Sequence, residues 1–185
     1  DLLNSSNLDA ILRNFGDRRK EEDPVVHFYE DFLKEYDPSQ RIERGVFYTP
    51  RSVVRYIVTS VHRVLKDDFG LPDGLADMSS WADVVKNIDG LKFPEGVDPE
   101  APFVNLLDPA LGTGTFLVEV IDVIEEELKI KWRAVGKAPA EIEKLWVEYV
   151  DHYLLSRING FEIMMAPYVI AHLKIGLRLF ESGYK

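Results

Sequence analysis

The 185-residue chain contains no cysteine, which excludes disulfides, thiolate metal sites and thiol catalysis and fits a reducing compartment. It has no apolar run of the roughly 18 residues that a membrane span needs, and no signal peptide opens it, so we expect no membrane association. Positive charge is scarce: 22 Lys and Arg stand against 32 Asp and Glu, for a net charge of −10. Because phosphate neutralisation supplies most non-specific affinity for DNA, we do not expect this chain alone to bind DNA at physiological salt.

The pattern of apolar residues predicts helices separated by two short strands. Residues 1–44 are interpreted as a helical connector, and residues 45–185 as a second domain that contains an insertion loop at 67–102. A short apolar run at 103–107 predicts one strand, and the segment 157–162, which ends in an acid, predicts a second. Helices are predicted over about 50–66, 115–135, 140–155 and 167–182. This order is typical of the opening of an α/β fold with parallel strands.

The helix predicted to begin near Thr115 has two unlike sides. Apolar residues recur at helical spacing along one side, as expected for a helix that packs on a sheet. The other side is predicted to be an acidic, solvent-facing surface, formed by Glu119, Asp122, Glu125, Glu126 and Glu127.

A glycine-rich turn separates the first predicted strand from that helix. Ligands of open α/β sheets bind at the carboxyl ends of the strands, where glycines let the backbone approach closely. Two nucleotide-binding fingerprints do not fit, because Leu117 replaces the third glycine of the dinucleotide turn and no lysine follows either glycine as in a Walker loop. An ordinary strand-to-helix turn is the structural alternative. The candidate ligand-binding residues here are Asp108, Ala110, Leu111, Gly112, Thr113, Gly114 and Phe116.

A second candidate is Glu162, which ends the second predicted strand. An acid at that place can accept hydrogen bonds from both hydroxyls of a ribose. The separation from Gly114 is 48 residues (162 minus 114), longer than the roughly 20 of dinucleotide folds, and the helix predicted at 140–155 accounts for the excess. Taken alone, Glu162 is better interpreted as a solvated surface acid, but its position after a strand and its pairing with the glycine turn favour a role in ligand binding.

The third candidate is the segment Phe47-Tyr48-Thr49-Pro50-Arg51. Thr49 is expected to cap a helix that begins at Pro50, and the free N–H groups of such a helix N-terminus suit a carboxylate. Phe47 and Tyr48 would add flat apolar surface. The structural alternative is a plain capped helix start with core aromatics.

Together and in this order, the three motifs resemble the amino-methylating DNA methyltransferases of the gamma arrangement. That group includes modification subunits of type I restriction systems and single-chain enzymes that combine methylation with restriction, and residues 25–50 look most like the latter. The resemblance covers roughly residues 25–180. It implies an incomplete Rossmann-like fold that binds S-adenosylmethionine, in a prokaryotic cytoplasm. It also implies that Glu162 binds the cofactor ribose, that Asp108 to Gly114 line its methionine portion, and that Tyr48 to Arg51 close over it.

The sequence departs from the family pattern in two ways. Leu111 stands where the family often has a small residue or Cys, and it would narrow the pocket if its side chain pointed toward the ligand. The chain also has no Pro-Pro pair, so it lacks the Asn/Asp-Pro-Pro-aromatic tetrapeptide with which the family binds a flipped-out adenine. The resemblance therefore implies the cofactor-binding part of a DNA adenine-N6 methyltransferase of a restriction–modification system, inactive alone.

The expected partners follow from that interpretation. DNA would be contacted through regions that this chain lacks, together with the remaining methyltransferase, target-recognition and nuclease or helicase parts. A sheet of two strands leaves apolar faces and an open edge, which predicts a non-physiological dimer. Two alternatives stay open: a non-catalytic cofactor-sensing or coupling module of a restriction complex, and a different nucleotide-binding enzyme such as a dehydrogenase.

Overall fold

The computed structural model describes residues 49–185. The chain divides into two compact units, with the boundary between Val54 and Arg55. The elements below belong to the second unit, residues 55–185, except that the first turn of α1 belongs to the first unit. In chain order the elements are α1 (Arg51–Asp67), a 3₁₀ turn (Gly74–Ala76), α2 (Trp81–Asn87), β1 (Leu106–Asp108), α3 (Thr115–Ala134), α4 (Pro139–Tyr149), a π-helical turn (Val150–Leu154), α5 (Leu155–Arg157), β2 (Ile158–Gly160) and α6 (Met165–Glu181). The described residues are mostly helical with one small parallel sheet, which is compatible with the expected α/β class.

The two strands pair in parallel, with Leu106 opposite Ile158 and Asp108 opposite Gly160. A parallel pair requires a long crossover, which α3 and α4 supply here. Both strands form within or next to the segments predicted for them, but each has only three residues. The first begins later than predicted because Phe103 N donates to Ser79 O at 3.0 Å, so that this end of the run pairs with the segment before α2.

Residues 67–102, predicted to be an insertion loop, contain the 3₁₀ turn and α2. Ser80 caps α2 in a reciprocal capping box with Asp83. A core cluster of Leu71, Val84 and Val104 joins this segment to the strand, and partly buried apolar residues pack around it: Leu65, Ile88, Leu91, Phe103 and Leu106. The segment therefore packs behind β1 and supports it.

The prediction of an acidic outer face on α3 is wrong for three of its five acids. Glu119 is only 3% exposed and its carboxylate lies 3.0 Å from Arg55 of α1. Asp122 and Glu125 both contact the guanidinium of Arg178 on α6. The sequence shows the acids on this helix but not their partners, which other helices contribute. As a result the acidic side of α3 is covered at Glu119, Asp122 and Glu125, whereas Glu126 remains exposed to solvent.

The helix predicted over 140–155 is built from three pieces. Regular α4 ends at Tyr149, the π-helical turn follows, and α5 ends at Arg157, directly before β2. The wider turn carries one extra residue, which changes the direction in which the following side chains point. Leu154, five residues after Tyr149, is fully buried, and so is Arg157 three residues later.

Candidate functional site

The glycine turn folds back across the carboxyl end of β2. Asp108 Oδ1 accepts a hydrogen bond from Ala110 N at 3.1 Å, which fixes the start of the turn. Leu111 N then donates to Phe161 O at 2.9 Å, and Phe161 N donates to Asp108 O at 2.9 Å. Gly114 N donates to Leu111 O at 2.9 Å, and α3 begins at the next residue. The turn and the residues after β2 thus form one hydrogen-bonded unit.

The two glycines of the turn have different structural roles. Both adopt the left-handed region, with φ of +54° at Gly112 and +77° at Gly114. A Cβ atom at Gly114 would lie 3.1 Å from Ala171 Cβ, so this glycine allows α3 and α6 to approach closely. A Cβ atom at Gly112 would have only Ala110 O within 4 Å, at 3.9 Å. The backbone at Gly112 is therefore open to a ligand.

Glu162 joins the end of the second strand to this turn. Its Oε2 accepts a hydrogen bond from Gly112 N at 2.9 Å, and its Oε1 accepts one from Met164 N at 2.8 Å. The structure thus brings together two motifs that lie 50 residues apart in the chain. Each carboxylate oxygen keeps a further lone pair, so Glu162 can still accept hydrogen bonds from ligand hydroxyls.

The second carboxylate of the site, that of Asp108, has one oxygen without a hydrogen-bond donor among the described residues. Within the described residues, Asp108 Oδ2 is buried and has no hydrogen-bond partner. A buried acceptor without a donor is costly, and such atoms are rare in folded proteins. This oxygen points to a donor that a ligand would bring, such as an ammonium or hydroxyl group. Both carboxylates therefore suit S-adenosylmethionine, which carries an ammonium group and ribose hydroxyls.

Leu111 does not block the turn. It is 7% exposed and packs in a core cluster with Leu117 and Ala171, against which Ile175 also lies. Its side chain therefore lies in the core and leaves the space beside Gly112 free. Leu111 therefore does not point toward the space that a ligand would occupy, and it does not narrow the candidate pocket.

The other candidate residues of the glycine turn, Ala110, Thr113 and Phe116, differ in their exposure to solvent. Ala110 is exposed, whereas Thr113 and Phe116 are half-buried. Thr113 Oγ1 lies 3.4 Å from the hydroxyl of Thr115, which in turn accepts a hydrogen bond from Lys174 Nζ at 3.2 Å. Sequence reasoning did not single out Thr115 or Lys174, because only the packing of α6 on α3 brings the lysine to this place.

The third motif is described only from its third residue onward, since Phe47 and Tyr48 lie outside the described residues. Thr49 is half-buried and Pro50 is exposed. Helix α1 begins at Arg51, one residue later than predicted, and Pro50 O accepts the first backbone hydrogen bonds of the helix. These residues belong to the first unit of the chain.

None of the helices described for residues 49–185 combines the length and apolar character that crossing a bilayer requires.

Residues 20–72 match the family model described as N-6 DNA Methylase. The matched span includes the Phe47–Arg51 motif and α1, whereas the glycine turn and Glu162 lie beyond it. No curated protein and no solved structure matches the chain. The family match supports a function related to DNA N6-methylation, and it does so through a part of the sequence separate from the site described above.

Proposed function

We propose that this chain is the S-adenosylmethionine-binding part of a DNA adenine-N6 methyltransferase from a prokaryotic restriction–modification system. The observation that carries the proposal is the hydrogen bond from Gly112 N to Glu162, formed beside Asp108, whose Oδ2 atom has no hydrogen-bond donor among the described residues. This group lies at the carboxyl ends of two parallel strands, the usual place for ligands of open α/β sheets. The match of residues 20–72 to the N-6 DNA Methylase family adds independent support.

Each residue of the site would contact a different part of the cofactor. Asp108 Oδ2 would accept from the ammonium of the methionine portion, and Glu162 from the ribose hydroxyls. The bare backbone at Gly112 would let the ligand approach closely. Once bound, S-adenosylmethionine supplies an electrophilic methyl group for transfer to an exocyclic amine.

The chain binds cofactor in this proposal but does not complete the reaction. It has no Pro-Pro pair and hence no Asn/Asp-Pro-Pro-aromatic tetrapeptide to hold a flipped-out adenine. DNA and target-recognition contacts would come from regions outside this chain, consistent with its net charge of −10. In this proposal the parallel strand pair and the helices of its crossover belong to a Rossmann-like fold.

Calorimetric titration of the 185-residue chain with S-adenosylhomocysteine tests the proposal. We expect the parent to bind, and Asp108→Asn and Glu162→Gln each to weaken binding at least tenfold. The matched control is Glu148→Gln on α4, an exposed acid that pairs with Lys144, which should leave affinity unchanged. A folded parent that binds a nicotinamide dinucleotide but not S-adenosylhomocysteine would contradict the proposal and favour a dehydrogenase.

A further inference from the structure

A fully buried arginine lies at the opposite end of the strands from the candidate site. Arg157 is 0% exposed and directly precedes β2. Its Nη1 donates to Asp77 O at 2.6 Å and to Val104 O at 3.4 Å, and its Nε donates to Tyr153 O at 3.2 Å. Val104 lies two residues before β1 begins. One guanidinium therefore joins the entry of β1, the entry of β2 and the turn after the 3₁₀ helix.

A tyrosine completes this arrangement. Arg157 Nη2 donates to the hydroxyl of Tyr149, which donates in turn to Ala76 O at 3.1 Å. Burial raises the pKa of Tyr149 to about 12, so the phenol keeps its proton and can donate and accept at once. The arginine also lies over the face of the same ring, with Cζ 5.8 Å from its centroid. Carbonyls and a phenol thus satisfy a charge that would otherwise be costly to bury.

The strands themselves do little to fix their alignment. Each has three residues, and two-stranded pairings of that length are marginal in isolation. A shift of one residue would move every side chain to the other face of the sheet. It would also separate the Glu162 carboxylate from Gly112 N, because Glu162 follows β2 and Gly112 follows β1.

We propose that Arg157 is a positioning residue that sets the register of β1 against β2 and thereby holds Glu162 against the glycine turn. The arginine acts at the amino ends of both strands, and the site lies at their carboxyl ends. The inference extends the proposed function to the part of the chain that prepares the site. Its effect on affinity rests on that function, whereas its effect on register does not.

The alignment is measured by amide hydrogen exchange at Leu111, Gly112 and Phe161, whose N–H groups bond across the site. We expect Arg157→Met to speed exchange at these amides at least tenfold more than its loss of global stability in urea explains. The matched control is Arg178→Met, which removes another buried arginine, one that pairs with Asp122 and Glu125 on α3. In that variant, exchange at the three amides should change only as global stability does.

Two further variants keep the test decisive if Arg157→Met does not fold. Tyr149→Phe removes only the phenol and should speed exchange in the same direction. Arg157→Lys keeps the charge but not the fork of donors, and should not restore the parental exchange rates. Exchange that follows global stability equally in the Arg157, Tyr149 and Arg178 variants would overturn the inference.

Affinity for S-adenosylhomocysteine then separates the two proposals. Weaker binding in Arg157→Met, with Arg178→Met unchanged, supports both. If the folded parent does not bind, the cofactor proposal fails, while the exchange rates still decide whether Arg157 sets the register.

Discussion

The side chain of Leu111 packs directly on the backbone of Gly160. A Cβ atom at Gly160 would lie 3.0 Å from both Cδ atoms of Leu111, closer than ordinary van der Waals contact. This contact places the glycine turn on the end of β2, at the strand residue that pairs with Asp108. The close packing of Leu111 on Gly160, which has no side chain, therefore helps to hold the glycine turn against β2.

The first prediction follows from that contact. Gly160→Ala should destabilise the fold by about 1–3 kcal/mol, the usual cost of overpacking, because Leu111 must move. Adding Leu111→Ala should then cost less than Leu111→Ala costs in the parent, because the new methyl group occupies part of the vacated space. Urea denaturation of the parent, both single variants and the double variant measures this coupling.

Gly176 provides the control for this cycle. It lies in α6 with nothing within 4 Å of an added Cβ, so Gly176→Ala should raise stability by roughly 0.5–1 kcal/mol. Strictly additive losses in the Gly160 and Leu111 cycle would show that the two residues do not interact.

The second prediction concerns the two glycines of the turn. Alanine at either position is strained by the left-handed backbone, by about 1–2 kcal/mol. Gly114→Ala should cost more than Gly112→Ala, because its methyl group meets the backbone of Ala171 as well. Thermal unfolding ranks the variants, and equal losses at the two positions would contradict the assignment of Gly114 to helix packing.

The third prediction is a dependence of stability on pH through His62. Burial lowers the pKa of His62 below its ordinary 6.5, and Lys66 acts in the same direction, while Glu127 and Asp73 oppose the shift. Nδ1 accepts a hydrogen bond from Leu75 N at 3.3 Å, which requires that nitrogen to be unprotonated.

The sign follows from comparing the folded and unfolded chains. Because the folded pKa is the lower one, the unfolded chain takes up the proton first as the pH falls. The contribution of neutral His62 is therefore full above about pH 6.5 and is lost as the pH falls through the folded pKa. Unfolding free energies between pH 5 and 8 should decline less steeply toward acid in His62→Gln than in the parent. Identical slopes would rule out this role.

The fourth prediction concerns self-association through α6. Val169, Leu173 and Phe180 are spaced on one side of this helix and are 54%, 47% and 60% exposed. Since exposed apolar patches favour association, we expect sedimentation velocity to show a dimer that increases with protein concentration. Leu173→Glu should shift the chain toward monomer, whereas Lys185→Glu at the end of the chain should not. A parent that is monomeric throughout the range would contradict this expectation.

Local sequence patterns predicted the positions of helices and strands better than they predicted the contacts of the side chains on them. The apolar runs and helix periods placed β1, β2 and α3 close to where they form, because strand and helix periods are local properties. The prediction that Glu119 on α3 faces solvent was wrong, because its burial depends on Arg55, 64 residues away in the chain. The role of Arg157 was equally invisible, since a single basic residue before a strand carries no signal of the carbonyls that surround it.

For the candidate site, the sequence located the parts but not their connections. Glycine spacing and the acid after β2 identified both motifs, since ligand sites of α/β sheets recur at strand ends. The bond from Gly112 to Glu162 could not be predicted, because it depends on how the turn folds across β2. The direction of Leu111 likewise depends on the packing of α6.

The two hydrogen bonds to Glu162 also have a consequence for recognition. Gly112 N and Met164 N hold its carboxylate in a single orientation before any ligand arrives. An incoming hydroxyl would therefore meet lone pairs with fixed directions, and little side-chain freedom would be lost on association at this contact. Discrimination at this contact would depend on the geometry of the hydroxyl pair, so that a ligand with one hydroxyl removed should lose affinity without any adjustment by the protein.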